Sequence, residues 1–480
     1  MNPPGPPSYR FEPRVEALAD SAVARDLSRA LSCLRAQHRP ILLDSVSGEP
    51  RRFSLLAFDP LPGEPPQELS ALRAFCARLE RRGGETPPHF EGGFLGALSY
   101  DLGVVGEDLE LPRDPWELPK IVGGLYVDYL VRDHAEHKTW LVLGEAPGDG
   151  RPALAQRRAQ VLSALQQEPQ SIAPLPMAAC ERLSDSGAFR RAVESVRERI
   201  REGEIYQANL SHRLLCEYAQ DPIELYLQLR RHHPGPYLAF LGQADLALLS
   251  GSPELLLDFE PARPGERCGR ALTRPIKGTL PRGATPEQDR ALAAQLLASE
   301  KDRAELSMIV DLERNDLGSV ALPGGVRVDP FPQLQSFSTV HHLMADVHAE
   351  LPPERDAVDL LSALFPGGSI TGAPKLRSME VIAELEQEGR GFAYGSILML
   401  DTRGRCLANI LIRTLIWRPA AAGGGEVTYR VGGGITYASD AALEEAESLA
   451  KGLGLARSLG VPDAVPDAAP EREGGLHGSV

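Results

Sequence analysis

Arg274-Pro275-Ile276-Lys277-Gly278-Thr279-Leu280 is the stretch on which the reading of this chain turns. Pro275 and the β-branched Ile276 suit entry into a strand, and Gly278 suits a tight turn, so a single lysine sits where an extended segment bends. Lysine is normally a solvated surface charge. Desolvated, or set near other cations, its amine can lose a proton and act as a nucleophile. Whether Lys277 is ordinary or covalent decides which reaction the protein runs.

On either side of this stretch, strand and helix signals alternate. A helix is expected from about Asp185 or Ser186, where Phe189, Val193, Val196 and Ile200 recur at helical spacing until Gly203. Ile205 to Ser211 reads as a strand, as do Ala244–Leu249, Leu255–Phe259, Gly395–Leu400, Ala408–Ile416 and Val427–Val431. Helices are expected at Gln288–Leu297, Ala357–Leu364, Pro374–Glu386 and Ala441–Gly452. Residues 1–170 look strand-rich with intervening helices, residues 169–180 read as an exposed linker, and residues 183–457 form the second unit. The Pro-rich first ten residues and the acidic tail, 458–480, are expected to lack fixed structure.

Bulk properties exclude several functions. With 480 residues the chain exceeds a single core, so two units or one elaborate double domain are expected. A net charge of −15 argues against nucleic acid or an anionic membrane as partner. No apolar run reaches the roughly 18–20 residues of a membrane helix. Met1 to Pro7 does not resemble a signal peptide. The six cysteines are widely spaced without a Cys-x-x-Cys pair, so reduced thiols and a cytoplasmic location are expected.

Three constellations carry chemistry. Asp302 and Glu305, and again Glu444 and Glu447, lie three apart in helical segments, with Lys451 one turn after the second pair. Each pair shares a helix face and can aim two carboxylates at one point. Oxygen donors without histidine or cysteine suit a hard cation such as Mg2+, although the same spacing also describes a solvated helix face. Phe365 to Lys375 is a Gly-rich run, containing Thr371 and Gly372, into a helix opened by Pro374; it is either an anion site at a helix N-terminus or a plain loop-to-helix joint. Arg413, in an apolar stretch, needs either a protein acid or a substrate carboxylate. Tyr394 and the triplet Gly432, Gly433, Gly434 complete this third set, the glycines marking a bulge or a place where backbone meets ligand. Glu254, just ahead of an apolar run, is a candidate for a raised pKa, and His342 for acid–base work.

These segments resemble the chorismate-utilising enzymes. The resemblance is carried by Gly203 to Ser211, Ser252-Pro253-Glu254, Pro275 to Thr279, Asp302 to Glu305, Ile309 to Asp316, Gly372 to Lys375 and Glu444 to Glu447. It extends more loosely to Leu42-Leu43-Asp44-Ser45 and Gly93 to Asp101. It implies an α+β class, a complex α/β sandwich of two large, mainly antiparallel sheets facing each other with helices outside. The site would lie in a cleft built mostly from the C-terminal half. Water-activating relatives carry lysine where this chain has Gln207, and anthranilate synthases typically carry alanine at the position of Lys277. Lysine there, with Gln207-Ala208-Asn209-Leu210-Ser211, is similar to the component I group of aminodeoxychorismate synthases.

The resemblance further implies roles. Glu305 and Glu447 would ligate Mg2+, with Asp302 and Glu444 supporting through water. Tyr394, Arg413 and the backbone near Gly432–Gly434 would take the enolpyruvyl carboxylate, while Gly278, Thr279, Thr371, Gly372 and Lys451 would position substrate. His342 matches a family histidine of open role. Lys277 would attack ring C2 as C4 loses its hydroxyl, ammonia would add at C4 and expel the lysine, and Glu254 would serve as general acid/base. The expected product is 4-amino-4-deoxychorismate, on the route to p-aminobenzoate and folate. No Gly-x-Cys-x-Gly turn is present, so ammonia would come from a separate glutamine amidotransferase subunit and the product would pass to a lyase. The rivals are anthranilate synthase component I and an inactive regulatory paralogue. The Leu42–Ser45 stretch resembles a tryptophan-contacting segment, or is simply core.

Overall fold

In a computed structural model, the described residues are 8–34, 39–45, 52–104, 109–167, 180–183, 186–337, 340–421 and 423–461. The linker expected at 169–180 lies outside them except for Cys180, as do residues 1–7, the tail beyond 461 and the capping position Asp185. Among the described residues no helix is long and apolar enough to cross a membrane.

Two large sheets and one small one organise the chain. The largest has 13 strands and includes Gln207–Tyr218, Gly425–Ile435, Thr414–Pro419, Ala247–Ser250 and Leu238–Gly242, followed by Ile41–Asp44, Phe53–Ala57, Tyr129–Asp133 and Lys138–Glu145. The second has eight, among them Gly269–Arg274, Leu255–Glu260, Cys406–Asn409, Ser396–Asp401 and Gly93–Leu98. Pairing is antiparallel apart from Tyr9–Ala17 against Leu79–Arg81. The expected class and sandwich architecture are therefore the ones observed. Both large sheets draw strands from either side of residues 169–180, so the boundary expected there divides the sequence but not the sheets.

Period-two alternation explains why each sheet faces two layers. Ile41, Leu43, Leu55, Ala57, Tyr129 and Val131 point into the main core with residues of the second sheet, such as Leu398 and Met399. The intervening Leu42, Leu56, Leu130 and Leu141 point the other way, onto helices carrying Leu27, Leu31, Leu225 and Leu229. Each fully buried leucine contributes roughly 1.5–3 kcal/mol of transfer free energy.

The helix Ala357–Leu364 appears with the expected bounds, and most other expected elements appear with shifted ends, including Ser186–Arg201 and Ala441–Ser458. Two expectations fail. The apolar run Ala408–Ile416 is not one strand: Cys406–Asn409 belongs to the second sheet and Thr414–Pro419 to the first, so 410–413 cross between them. Nor are all six cysteines free thiols. Cys180 pairs directly with Cys216 on adjacent antiparallel strands, and the two form a disulfide. The linear spacing of 36 residues gave no sign that strand register would bring them face to face.

Candidate active site

Two neighbouring places where the chain changes sheets build the centre of the site. Residues 251–254 lead from Ala247–Ser250 to Leu255–Glu260, and 410–413 lead back from Cys406–Asn409 to Thr414–Pro419. The crossings are laced together: Gly251 N–H donates to Arg413 O (2.9 Å), Ile410 N–H to Glu254 O (3.1 Å) and Ser252 Oγ to Ile410 O (2.6 Å). Glu254 and Arg413 are thus fixed by backbone, not by loop ends. Arg413 takes φ +50°, and no protein acid pairs with its guanidinium among the described residues. Burial disfavours its charge, opposed by Glu254.

Lys277 enters from the third sheet, on Ile276–Pro281, which pairs with Val340–Met344. A register shift between Lys277 and Thr279 lets Gly278 adopt φ +75°. A Cβ at Gly278 would lie 2.9 Å from Asp302 Cγ, so glycine here permits both the turn and the approach of the helix Glu300–Gly318. Lys277 Nζ lies 3.9 Å from Glu305 Oε2. Burial pulls its pKa down against the pull of Glu305, and Lys451 adds to the fall. Glu254 Oε1 accepts from Ile276 N–H at 3.3 Å. Burial pushes Glu254 up to about 7, despite the Ser369 hydroxyl, the Ile276 N–H and Lys277.

The acidic pairs ride on two helices. Ser299 caps the first, accepting from Asp302 N–H, while its hydroxyl donates to Asp302 Oδ2 at 2.5 Å. Asp440 caps Ala441–Ser458. The four carboxylates do not close into a ligand shell: among the described residues the group within ligating separation is Asp329, Asp346 and His348, where Asp346 is paired with Arg274. Instead Lys301 Nζ stands 4.0 Å from Glu305 and 3.8 Å from Glu444. Burial raises Glu305, although Lys277 and Lys301 oppose it, and its Oε1 is buried without a hydrogen-bond partner among the described residues. Glu444 accepts from Ser439 Oγ (2.7 Å). Burial tends to raise Glu447, but Lys451 at 2.8 Å outweighs it and holds the pKa down. An all-carboxylate set with an orphaned buried oxygen fits a hard divalent cation.

The glycine triplet closes the ring of contacts. It is not a bulge, since Gly432, Gly433 and Gly434 pair in continuous register with Ser211, Leu210 and Asn209. A Cβ at Gly433 would lie 3.3 Å from Lys451 Nζ and 3.4 Å from Glu444, and one at Gly434 would lie 2.7 Å from Gln207 Nε2 and 3.2 Å from Lys277 Nζ. Lys451 also donates to Gly432 O at 3.3 Å. His342 Nδ1 lies 2.8 Å from Thr279 Oγ1, while its Nε2 is buried without a hydrogen-bond partner among the described residues. Burial and the nearby Arg413 push His342 down to about 3, so it is a neutral group at working pH.

The structure draws two expected residues away. Tyr394 lies under the Arg390 guanidinium (4.7 Å) and its hydroxyl interacts with Ser211 within a buried Arg390–Glu386–Arg430 network. Thr371 spends its hydroxyl on Gly367 O (3.0 Å), and only the backbone of Gly372 joins a sheet, opposite Ala208. Lys375 is likewise structural, bridging Asp316 and Leu364 O. Asp44, in the Leu-Leu-Asp-Ser stretch, is buried and paired with Arg230 (2.6 Å).

Gln207, which the resemblance sets at the position of a water-activating lysine, does stand beside Lys277 at Gly434, whereas Lys301, which bridges toward Glu305 and Glu444, was not expected there. Gln207 is fully buried, and neither of its amide atoms has a hydrogen-bond partner among the described residues. The signal for Gln207 was the resemblance itself. For Lys301 it was a lysine four residues before Glu305, on the same helix face.

With this geometry in hand, comparison with known proteins is direct. Residues 49–457 match the chorismate binding enzyme family. Aminodeoxychorismate synthase component 1 of Bacillus subtilis is 36% identical, over 87% of this chain and 91% of its own length. The protein of the same name from Klebsiella aerogenes is 40% identical, over 76% and 77%. The solved structure of anthranilate synthase component I from Streptococcus pneumoniae superposes with a TM-score of 0.72 at 30% identity, covering 85% of this chain and 93% of that one. This chain therefore belongs to the chorismate-binding enzyme family.

Proposed function

We propose that the chain is the synthase component that converts chorismate and ammonia to 4-amino-4-deoxychorismate, with Lys277 as a transient nucleophile. The observation that carries the reading is the buried pair formed by Lys277 and the Glu254-bearing segment. Desolvation favours the neutral form of both groups. A neutral amine is what nucleophilic attack requires, and a neutral carboxyl is what protonation of a departing hydroxyl requires. One physical cause thus prepares both reactants.

In this reading Lys277 Nζ bonds to ring C2 while the C4 hydroxyl leaves with a proton from Glu254. Ammonia then bonds to C4 and the C2–N bond breaks, returning the amine. Arg413, with no acid paired to it among the described residues, receives a substrate carboxylate, and His342 offers an uncharged ring nitrogen at the same wall. Gln207 supplies an amide in place of a cation beside Lys277. Glu305 and Glu447, with Asp302 and Glu444 behind them, would hold Mg2+, which supplies charge for the ring carboxylate of the substrate. Ammonia would come from a glutamine amidotransferase subunit and the product would go to a lyase.

The test is product identity. Incubation with chorismate, Mg2+ and ammonium is expected to give a product that retains the enolpyruvyl group and yields p-aminobenzoate only after a lyase is added. Fluorescent anthranilate with pyruvate, formed without lyase, would overturn the assignment in favour of the rival synthase.

A further inference from the structure

The helix Ala441–Ser458 shows two polar faces. Glu444, Glu447 and Lys451 follow one stripe toward Lys301 and the glycine triplet. Glu445 and Ser448 follow another, about 100° round the axis, toward the scaffold. Glu445 is buried and held on both oxygens: Oε1 by Arg182 Nη1 and Oε2 by Arg190 Nε, each at 2.6 Å. Ser448 donates to Glu445 O at 2.9 Å and also meets His212 Nε2 at 2.9 Å. Glu444 and Glu445 are consecutive residues, so whatever fixes the second sets the rotation at which the first is presented.

Arg182 comes from a strand of three residues, Cys180–Arg182, at the edge of Gln207–Tyr218. A ladder this short has little to hold it. Its first residue, however, is bonded through sulfur to Cys216, and Leu183 N–H donates to Arg213 O at 3.1 Å. The order of support runs from the disulfide to the short strand, to Arg182, to Glu445 and so to Glu444 and Glu447. None of these supporting residues touches the reacting groups.

We infer that Arg182 and Glu445 are positioning residues for the carboxylate-bearing helix, and that the Cys180–Cys216 disulfide braces the strand that delivers Arg182. The inference rests on the reading above for what Glu444 and Glu447 do, but not for how the helix is held. Reduction adds two electrons and two protons to the S–S bond and gives two thiols, while a dithiol donor is oxidised to its own disulfide. The freed strand then holds Arg182 less firmly, and the helix end bearing Glu444 and Glu447 fluctuates more.

The experiment uses the full chain. Thiol titration of the denatured, unreduced protein should find the four free cysteines Cys33, Cys76, Cys268 and Cys406; six reactive thiols would overturn the brace. After reduction with dithiothreitol, amide hydrogen exchange across 441–452 should rise several-fold, and half-saturation by Mg2+ in ammonium-dependent turnover should move several-fold higher, with kcat changing less. Cys216→Ser should show the same two changes in either redox state. Arg182→Ala should reproduce them and Arg182→Lys should restore them in part, which a simple loss of folding would not do. Unchanged exchange in the fully reduced protein sinks the inference, whatever the activity. Exchange that rises in a protein whose turnover never depended on Mg2+ leaves the brace standing and removes the metal reading instead.

Discussion

Glu254, Lys277 and Arg413 are carried by strands or by the segments where strands change sheets, whereas Asp302, Glu305, Glu444 and Glu447 ride on two helices, Glu300–Gly318 and Ala441–Ser458. Glu254 and Arg413 are locked by backbone hydrogen bonds between crossings that cannot move without disturbing both large sheets, and Lys277 by the pairing of its strand with Val340–Met344. The second is held by caps and ion pairs, and Lys301 stands between Glu305 and Glu444 at 4.0 and 3.8 Å. Rigidity is spent where bonds are proposed to form, and adjustable charge where a cation and a dianionic substrate would enter. Preorganised dipoles and groups are most useful at the reacting atoms.

The largest effect is expected on the rigid side. Lys277→Ala should abolish nearly all amination and remove any adduct seen by intact-protein mass spectrometry; wild-type behaviour would end the covalent step. Glu254→Gln should slow turnover by about 10²–10⁴-fold, the usual range for a general acid. Its pH signature is directional. Glu254 titrates near 7 in the fold, so as an acid its contribution falls as pH rises through about 7, and the variant should lose that limb of the profile.

The same shift makes a stability prediction. Between the ordinary glutamate value of 4.5 and about 7 the folded state binds a proton the unfolded state lacks. Stability from this group is full below 4.5 and is lost as pH rises through about 7. Glu254→Gln should flatten that slope in denaturant titrations at several pH values.

On the adjustable side, effects should be smaller and appear in the metal response. Glu447→Gln should raise the Mg2+ concentration for half-saturation, and an unchanged titration would count against that ligand. Lys301→Met should act in the opposite direction, because a competing ammonium is removed from between Glu305 and Glu444. The smallest change is expected for Gly278→Ala, which forces an L-residue to φ +75° against Asp302. It should cost about 1–2 kcal/mol in unfolding free energy.

The two sides also differ in how far the sequence disclosed them. Helix-borne acids were legible because i, i+3 spacing fixes a shared face, and both pairs do lie on helices. The crossings were not legible. Ala408–Ile416 is mostly apolar because it is buried in both sheets it visits, and its polar residues Asn409, Arg413 and Thr414 follow no pattern that marks a change of sheet. Tyr394 misled for a related reason: an aromatic with a hydroxyl suits a ligand wall and a buried ion network equally, and only the position of Arg390 decides. The disulfide depended on register between strands 36 residues apart, which no local pattern encodes.

Both large sheets take strands from before and after the stretch 169–180, and this has a consequence for cutting the chain. A break there would leave one fragment with six of the 13 strands and two of the eight, and the other with the remaining seven and six, each with an apolar edge and face exposed to solvent. Neither piece would be a folding unit. Produced together, they would need to find each other before either was soluble, and catalytic activity would return only with their reassembly.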